Sequence, residues 1–438
     1  TGLRSHYDAV RPMSQKPEHL VALDVGNSST RVLVAEIAAT DVSSHRTSRQ
    51  FSNGSPSRED PSLLQFVGFG EVETRGWHKG NLADIGQASE TVRRVIEQAE
   101  ESIGSQIESA VLGIGGPHLG GLSSRAGIAL SIRPREVRRE DVLRVMQDAR
   151  NIPLSGDREI LHIVPKEFVL DGQEGIRDPV GMVGMQLEVR VHFITNSAAT
   201  AQNLVTVVNR AGILVETVVS EGFAAGEALP SQEERDLGVL VVLIGGPSSE
   251  TVAYSQGGLA STHSTPIGGD HFTGDIAIGL HTARSDAETI KQTFGSVFPG
   301  WSHDGSSFEV PGIGHQPSRL IPQNLLRQIL EPRAQELFSL LGAELGRAGL
   351  TTELAAGIIL SGGGARLAGL CDLAEKVLGI PARIGLPPRI HGLPEALDSP
   401  EYATLLSLLY YGLRVRLQRS PRESGSPGRL RDLLAWKK

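Results

Sequence analysis

The chain has 438 residues, about three times a common domain size, so two to four packed units are expected rather than one continuous core. Its 42 basic and 50 acidic residues give a formal charge of −8, which argues against nucleic acid as the main partner because phosphate neutralisation needs a basic surface. A single cysteine, Cys371, excludes a disulfide framework and any multi-thiolate zinc or iron site, and no stretch approaches the ~18 unbroken apolar residues of a bilayer span.

In chain order, residues 1–18 mix Arg, His, Pro and Gln without periodicity and read as a loose leader. Val21 to Glu36 (VALDVGNSSTRVLVAE) predicts strand, tight turn, strand. Residues 42–62, rich in serine with Arg, Asn, Gly and Pro, predict a long solvated hairpin loop. Val92, Val95 and Ile96 recur at helical spacing within a helix expected over Ser89 to Ile103. Short strands at Ala110 to Ile114 and Gly127 to Ile132, an amphipathic helix over Glu140 to Arg150 and a strand resuming at Val191 to Thr195 predict an inserted α+β subdomain from about 104 to 189. Val239 to Tyr254 (VLVVLIGGPSSETVAY) then repeats the pattern of the first hairpin. Two such copies predict two similarly folded α/β halves facing each other across a cleft, with two unrelated hairpins as the alternative.

Three glycine loops close buried strands. In Asp24-Val25-Gly26-Asn27-Ser28-Ser29 the glycine permits a tight turn, the following residues offer N–H groups and hydroxyls to a phosphate, and Asp24 at the strand end is placed to hold magnesium through water. Gly245-Gly246-Pro247-Ser248-Ser249 offers a second phosphate loop, and Ser361-Gly362-Gly363-Gly364-Ala365-Arg366 lets backbone approach a flat base or a ribose. An ordinary β-turn is the alternative for each loop taken singly. Near the end, Pro421 to Gly428 has linker composition, and Leu430, Leu433, Leu434 and Trp436 line one side of a helix bordered by Arg429, Arg431, Lys437 and Lys438. Such a helix suits the surface of an anionic membrane, with packing on its own protein as the alternative.

His162 to Thr195 contains Gly175, Ile176, Pro179, Gly181 and Met182 in the order Gly-Ile-x-x-Pro-x-Gly-Met, and Arg75-Gly-Trp-His-Lys-Gly80, Glu331-Pro-Arg333 and Ser399-Pro-Glu-Tyr-Ala-Thr404 stand elsewhere. In these stretches the chain resembles the FtsA family, the bacterial cell-division branch of the actin and Hsp70 superfamily, over nearly its full length. The resemblance implies an α/β fold: actin-like, duplicated RNase H-type domains around a nucleotide cleft, with an inserted α+β subdomain of SHS2-like type. It implies a subdomain 1A over 19–103, completed by about 190–213 and by helices at 399–418. Subdomain 1C would be the insert at 104–189, subdomain 2A would span 214–264 and 326–398, and subdomain 2B 265–325. A linker at 419–428 and a membrane-targeting helix at 429–438 would follow.

It further implies ATP or ADP with magnesium as cofactor. The first phosphate loop would be Asp24 to Ser28, the second Gly245, Gly246 and Ser248, and the adenosine clamp Gly269, Glu288, Lys291, Gly363, Gly364 and Arg366. Glu288 and Lys291, three apart on an expected helix, share a face, with a solvated ion pair as the alternative. The second loop departs from the family pattern, because Leu243 stands where an aspartate is usual and Pro247 where a glycine is. Leucine cannot bind a magnesium-bound water and proline has no N–H for a phosphate, so hydrolysis suffers more than binding.

Partners implied are the C-terminal peptide of FtsZ, held by 2B with Arg319 beside His315 at its contacting edge, the chain itself in filaments, late divisome proteins through 1C, and the membrane through the terminal helix. The implied function is a polymerising adaptor tethering the FtsZ ring to the cytoplasmic face of the membrane at the septum. A pilus-assembly scaffold of PilM type and an active ATPase with an Hsp70-like cycle are the alternatives.

Overall fold

The computed structural model describes residues 19–37, 63–78, 80–301, 306–314 and 316–418. The expected leader, serine-rich loop, linker and terminal helix, with Leu430, Leu433, Leu434 and Trp436, lie outside the described residues, as do Lys79 and His315.

β1 (His19–Val25) and β2 (Ser29–Ile37) form a hairpin to which β3 (Leu64–Glu73) adds antiparallel. A short pair, β4 (Trp77–His78) with β5 (Asn81–Leu82), leads into α1 (Ile85–Ile103), where the Asp84 carboxylate caps the helix by accepting the Gln87 N–H. β6 (Ser109–Ile114) then pairs parallel with β1. The expected start of the insert at 104 is corrected by this pairing, since the chain leaves the first sheet only after Ile114.

The insert contains β7 (Gly120–Ala129), β8 (Arg135–Glu136), α2 (Arg139–Ala149), β9 (Arg158–Leu170), β10 (Gln173–Ile176), β11 (Val183–Gly184) and β12 (Gln186–Ser197). Four of these strands form one antiparallel sheet in the order β10-β9-β12-β7, with α2 packed over β7 and β12. After α3 (Ala198–Arg210), β13 (Leu214–Ser220) pairs parallel with β6. Residues 214–220 thus complete the first sheet instead of opening the second half, as expected from sequence.

Two helices, α4 (Glu221–Ala228) and α5 (Gln232–Leu237), lead to β14 (Val239–Ile244), β15 (Ser249–Ser255) and β16 (Gly258–Thr265), which are antiparallel neighbours. There follow α6 (Gly269–Gly279), α7 (Arg284–Phe294), the pair β17 (Ser307–Val310) with β18 (Arg319–Pro322), and α8 (Gln323–Arg347). β19 (Ile358–Ser361), α9 (Leu370–Leu378) and β20 (Ala382–Ile384) finish the second half, and α10 (Ala403–Gln418) returns to pack on β1. The first sheet runs β3-β2-β1-β6-β13 and the second β16-β15-β14-β19-β20. In each, three antiparallel strands are followed by two parallel ones, so the repeat expected from the hairpins extends to whole sheets.

Both sheets are covered on two faces, which is why their central strands read as unbroken apolar runs. Along β1, Val21 and Leu23 join a core with α1 and α3, while Leu20 and Ala22 join one with α10. Along β14, Leu240, Val242 and Ile244 pack under α6, α8 and α9, while Val239, Val241 and Leu243 pack with Phe223 of α4 and Ile194 of β12. This alternation directs the C-terminal ends of both central strands at a shared seam, where the glycine loops lie.

Candidate functional site

The two hairpin loops have one geometry. Gly26 N–H donates to the Ser29 carbonyl at 3.1 Å, and Gly245 N–H donates to the Ser248 carbonyl at 3.0 Å. The flanking pairs Val25–Thr30 and Ile244–Ser249 also correspond. In the loops so closed, the amides of Asn27, Ser28 and Gly246 have no acceptor among the described residues. Pro247 contributes none. Ser28 is exposed, whereas Ser248 is buried, and the Ser249 hydroxyl donates to the Ile267 carbonyl at 2.6 Å. Ser249 is therefore occupied within its own half.

The loops meet across the seam. Asn27 Nδ2 donates to Asp270 Oδ2 at 2.6 Å, and Asn27 Oδ1 accepts the Gly80 N–H at 3.1 Å. Asp270 sits in the first turn of α6, whose opening amides are tied to the second loop: Gly269 N–H to the Gly245 carbonyl at 2.8 Å and Asp270 N–H to the Gly246 carbonyl at 2.9 Å. Asp270 was not singled out from the sequence; its place directly after Gly269 was the available signal.

Glu288 and Lys291 do share a face of α7. Lys291 Nζ lies 2.8 Å from Glu288 Oε2 and donates to the Thr273 hydroxyl at 2.9 Å and the Gly269 carbonyl at 3.1 Å. Burial pushes the Glu288 carboxyl up, but the Lys291 charge and hydrogen bonds from Lys291, Thr273 and Gln292 outweigh it and hold the group below its usual range. Gly269, Glu288 and Lys291 thus form one ordered cluster on the second half. Gly363 and Gly364 lie in a 3-10 turn, Gly363–Arg366, against β14, where a Cβ at Gly364 would lie 2.3 Å from Ile244 Cγ2. No larger residue fits there.

Arg366 is half exposed and its Nη1 lies 2.8 Å from Glu401 Oε2. Arg31 of β2 reaches the same Glu401, donating from Nη1 to its carbonyl at 3.0 Å, and bonds Glu71 Oε1 from Nε at 2.7 Å. Asp24 is the cross-strand partner of Arg31. A row of alternating charges therefore joins the third glycine loop to Asp24. Burial raises the Asp24 carboxyl to about 6, with Arg31 opposing and Glu71 adding to the rise.

Two further carboxyls, missed in the sequence, are buried beneath the loops. Glu250 is the cross-strand neighbour of Leu243 and accepts the Gly116 N–H at 2.9 Å and the Gly222 N–H at 2.8 Å. Glu221 opens α4. Both crowd Gly115, where a Cβ would lie 2.5 Å from Glu221 Oε2 and 2.7 Å from Glu250 Oε1, so a larger residue there would displace the carboxyls. Burial raises Glu250 to about 7 against its two backbone bonds, and burial together with Asp24 and Glu250 raises Glu221 well above the carboxylate range. Leu243 itself is buried in an apolar cluster with Val241, Val252 and Tyr254. Polar chemistry absent at Leu243 is thus present one strand away, as a carboxyl able to hold or accept a proton near neutral pH.

Among the described residues no group of three or more His, Cys, Asp or Glu side chains is arranged to hold a metal ion, and no helix is long and apolar enough to cross a membrane. Arg319 opens β18, exposed, and its guanidinium donates to the Leu280 carbonyl.

A family profile described as "SHS2 domain inserted in FTSA" matches residues 116–195, and one described as "Cell division protein FtsA" matches residues 240–407. Cell division protein FtsA of Pseudomonas aeruginosa is 34% identical over 400 residues, covering 91% of this chain and 90% of that protein. FtsA of Escherichia coli K12 is 33% identical over 400 residues, covering 90% of each. FtsA of Bacillus subtilis is 32% identical over 397 residues, covering 91% of this chain and 84% of its own. Among solved structures, the "PilM-PilN type IV pilus biogenesis complex" aligns with a TM-score of 0.61 at 17% identity, covering 90% of this chain and 98% of that one. MreB5 of Spiroplasma citri bound to ADP aligns with a TM-score of 0.52 at 14% identity, covering 93% and 99%. At such identities the likeness is one of fold, which is actin-like, whereas identity above 30% along nine-tenths of both chains marks descent: the chain belongs to the FtsA family of bacterial cell division proteins.

Proposed function

We propose that this chain is an actin-like adaptor that binds ATP or ADP with magnesium between its two halves, polymerises, and tethers the FtsZ ring to the cytoplasmic face of the membrane at the division septum. The observation that carries this reading is the pair of matched loops, whose amides at Asn27, Ser28 and Gly246 have no acceptor among the described residues and which meet across the seam through the Asn27–Asp270 bond. Such amides suit phosphate oxygens.

In this reading Gly26, Asn27, Ser28, Gly245, Gly246 and Ser248 hold phosphates, Asp24 holds magnesium through water, and Gly269, Glu288, Lys291, Gly363, Gly364 and Arg366 hold the adenosine. Bound magnesium would supply charge neutralisation on the phosphates. Asn27, held by Asp270 at 2.6 Å, would have to leave that bond to meet a phosphate. Glu250 is the group poised to accept a proton from water, with Glu221 beside it held protonated by burial, while Leu243 and Pro247 take away one carboxylate and one amide. Binding is therefore favoured over turnover, which supports an adaptor rather than a cycling ATPase. Subdomain 1C serves neighbouring copies and late divisome proteins, 2B with Arg319 serves the FtsZ peptide, and Leu430, Leu433, Leu434 and Trp436 serve the membrane.

A short basic helix with few large apolar groups binds a bilayer reversibly, so recruitment depends on several copies sharing one filament. Pelleting of the full chain with anionic vesicles, with ATP and magnesium, is expected to rise steeply with protein concentration and to vanish on deletion of residues 429–438 or in Leu433→Glu/Trp436→Glu, with ATP binding unchanged. Binding that saturates as independent monomers, or a truncated chain that pellets like the intact one, refutes the adaptor mechanism.

A further inference from the structure

The insert's sheet ends in a long strand with an open side. β7 pairs with β12 along its whole length, from Gly120–Thr195 to Ala129–Gln186, and forms the end of the sheet. Its first residues lie against β16 of the second half, where a Cβ at Gly121 would sit 2.5 Å from the Thr262 carbonyl oxygen and His192 Nε2 lies 2.9 Å from Thr262 Oγ1. From Ser124 to Ala129 no strand pairs with the outer side among the described residues. Natural sheets rarely leave an edge of this length uncovered, because its unpaired N–H and C=O groups template another chain.

The segment that carries this edge is basic, with Glu188 of β12 as the carboxylate beside Gly127, where a Cβ would sit 3.0 Å from its Cγ. Residues 120–150 hold seven arginines and four carboxylates, with no lysine or histidine, in a chain whose formal charge is −8. Arg135 is committed to Asp141, at 2.7 Å, but exposed Arg125 in mid-strand, Arg133 in the following loop and Arg139 at the start of α2 have no ion-pair partner among the described residues. Beside them Ile132 is 98% exposed, and Val183 and Met185 are exposed on the adjoining chain, which is held by the Leu130 N–H to the Met185 carbonyl at 2.7 Å. An open strand edge that carries Arg125, with a helix packed on its strand, two further arginines without ion-pair partners among the described residues in the loop and helix that follow, and exposed apolar side chains at its end, has the parts of a strand-addition site.

We propose that the Ser124–Ala129 edge of β7, beside α2, docks an extended acidic segment of a partner protein as a fifth strand of the insert's sheet, its carboxylates meeting Arg125, Arg133 and Arg139 and an apolar residue covering Ile132. The proposal rests on the reading of the insert as a partner-binding subdomain and assigns it a place and a ligand chemistry.

The probe is a blocked eight-residue peptide alternating Glu and Val, with Lys replacing Glu in the control, tested on the full chain by fluorescence anisotropy and by hydrogen exchange. The acidic peptide should bind at least tenfold more tightly than the basic one, slow exchange at the amides of 124–129, and lose about tenfold in affinity in Arg125→Glu/Arg133→Glu. Fluorescent ATP binding by that variant, unchanged, shows that it is folded. Equal binding of both peptides, protection elsewhere, or wild-type affinity in the variant overturns the proposal and leaves Arg125 as a charge that merely guards the edge. Concentration-dependent self-association protecting 124–129 without peptide overturns it in favour of a second copy. Loss of anionic-vesicle binding in the variant with peptide affinity intact overturns it in favour of a lipid surface. Failure of the chain to bind ATP with the peptide result intact would defeat the nucleotide reading alone.

Discussion

Glu250 is the most exacting test of the site. Its carboxyl moves from 4.5 to about 7 on folding because burial penalises the charged form more than the Gly116 and Gly222 amides favour it. A carboxyl raised in this way leaves stability intact below its unfolded value, and that stability is lost as pH rises through the folded value. Between pH 4.5 and 7 the loss accumulates at about 1.4 kcal/mol per pH unit, roughly 3 kcal/mol in all. His162 and His192 act oppositely over part of this window: burial lowers them to about 3 and about 4, so they destabilise as pH falls below 6.5. The comparison must therefore be differential. Glu250→Gln removes the titration and leaves the histidines untouched, so the stability of the variant relative to wild type should improve by about 3 kcal/mol from pH 4.5 to pH 7.5. Urea denaturation at several pH values, with the thermal midpoint as a second measure, reads this difference. A constant offset between the two proteins across the range would mean that Glu250 is ionised and solvated in the folded state, and the carboxyl cluster as described would be wrong.

Turnover of ATP should stay far below one per second, under the usual enzyme range, and Leu243→Asp/Pro247→Gly should raise it; steady-state phosphate release reads both, and turnover near one per second in the wild type refutes the binding-over-hydrolysis reading. Arg366→Ala and Glu288→Ala should each weaken nucleotide binding by about 1–3 kcal/mol, measured with a fluorescent ATP analogue. Unchanged affinity in both would leave the Lys291–Glu288 and Arg366–Glu401 pairs as structural contacts only.

Local chemistry was legible in the sequence wherever one short segment carried it. The hairpin of Val21 to Glu36, its repeat at Val239 to Tyr254, α1, α2 and the Glu288–Lys291 face all follow from periodicity and turn residues, which act over a few positions. Family membership was legible for the same reason, in contiguous motifs such as Gly175 to Met182. Sheet membership was not. Ala110 to Ile114 reads as a strand of the insert and residues 214–220 fall within the span expected for the second half, and only the parallel pairing of β6 and β13, which depends on residues far along the chain, puts both into the first sheet.

The contacts across the seam were equally hidden. Asn27 meets Asp270 across 243 positions, and Gly116 meets Glu250 across 134. A glutamate in a strand looks like any solvated charge until tertiary packing removes its water, and that removal gives Glu250 its raised pKa and its candidate role. By itself the sequence determined the repeated hairpins, the glycine loops and the lineage, because these are local. Tertiary structure alone decided which carboxyls are buried together, because desolvation is a property of everything packed around a group and of no segment alone.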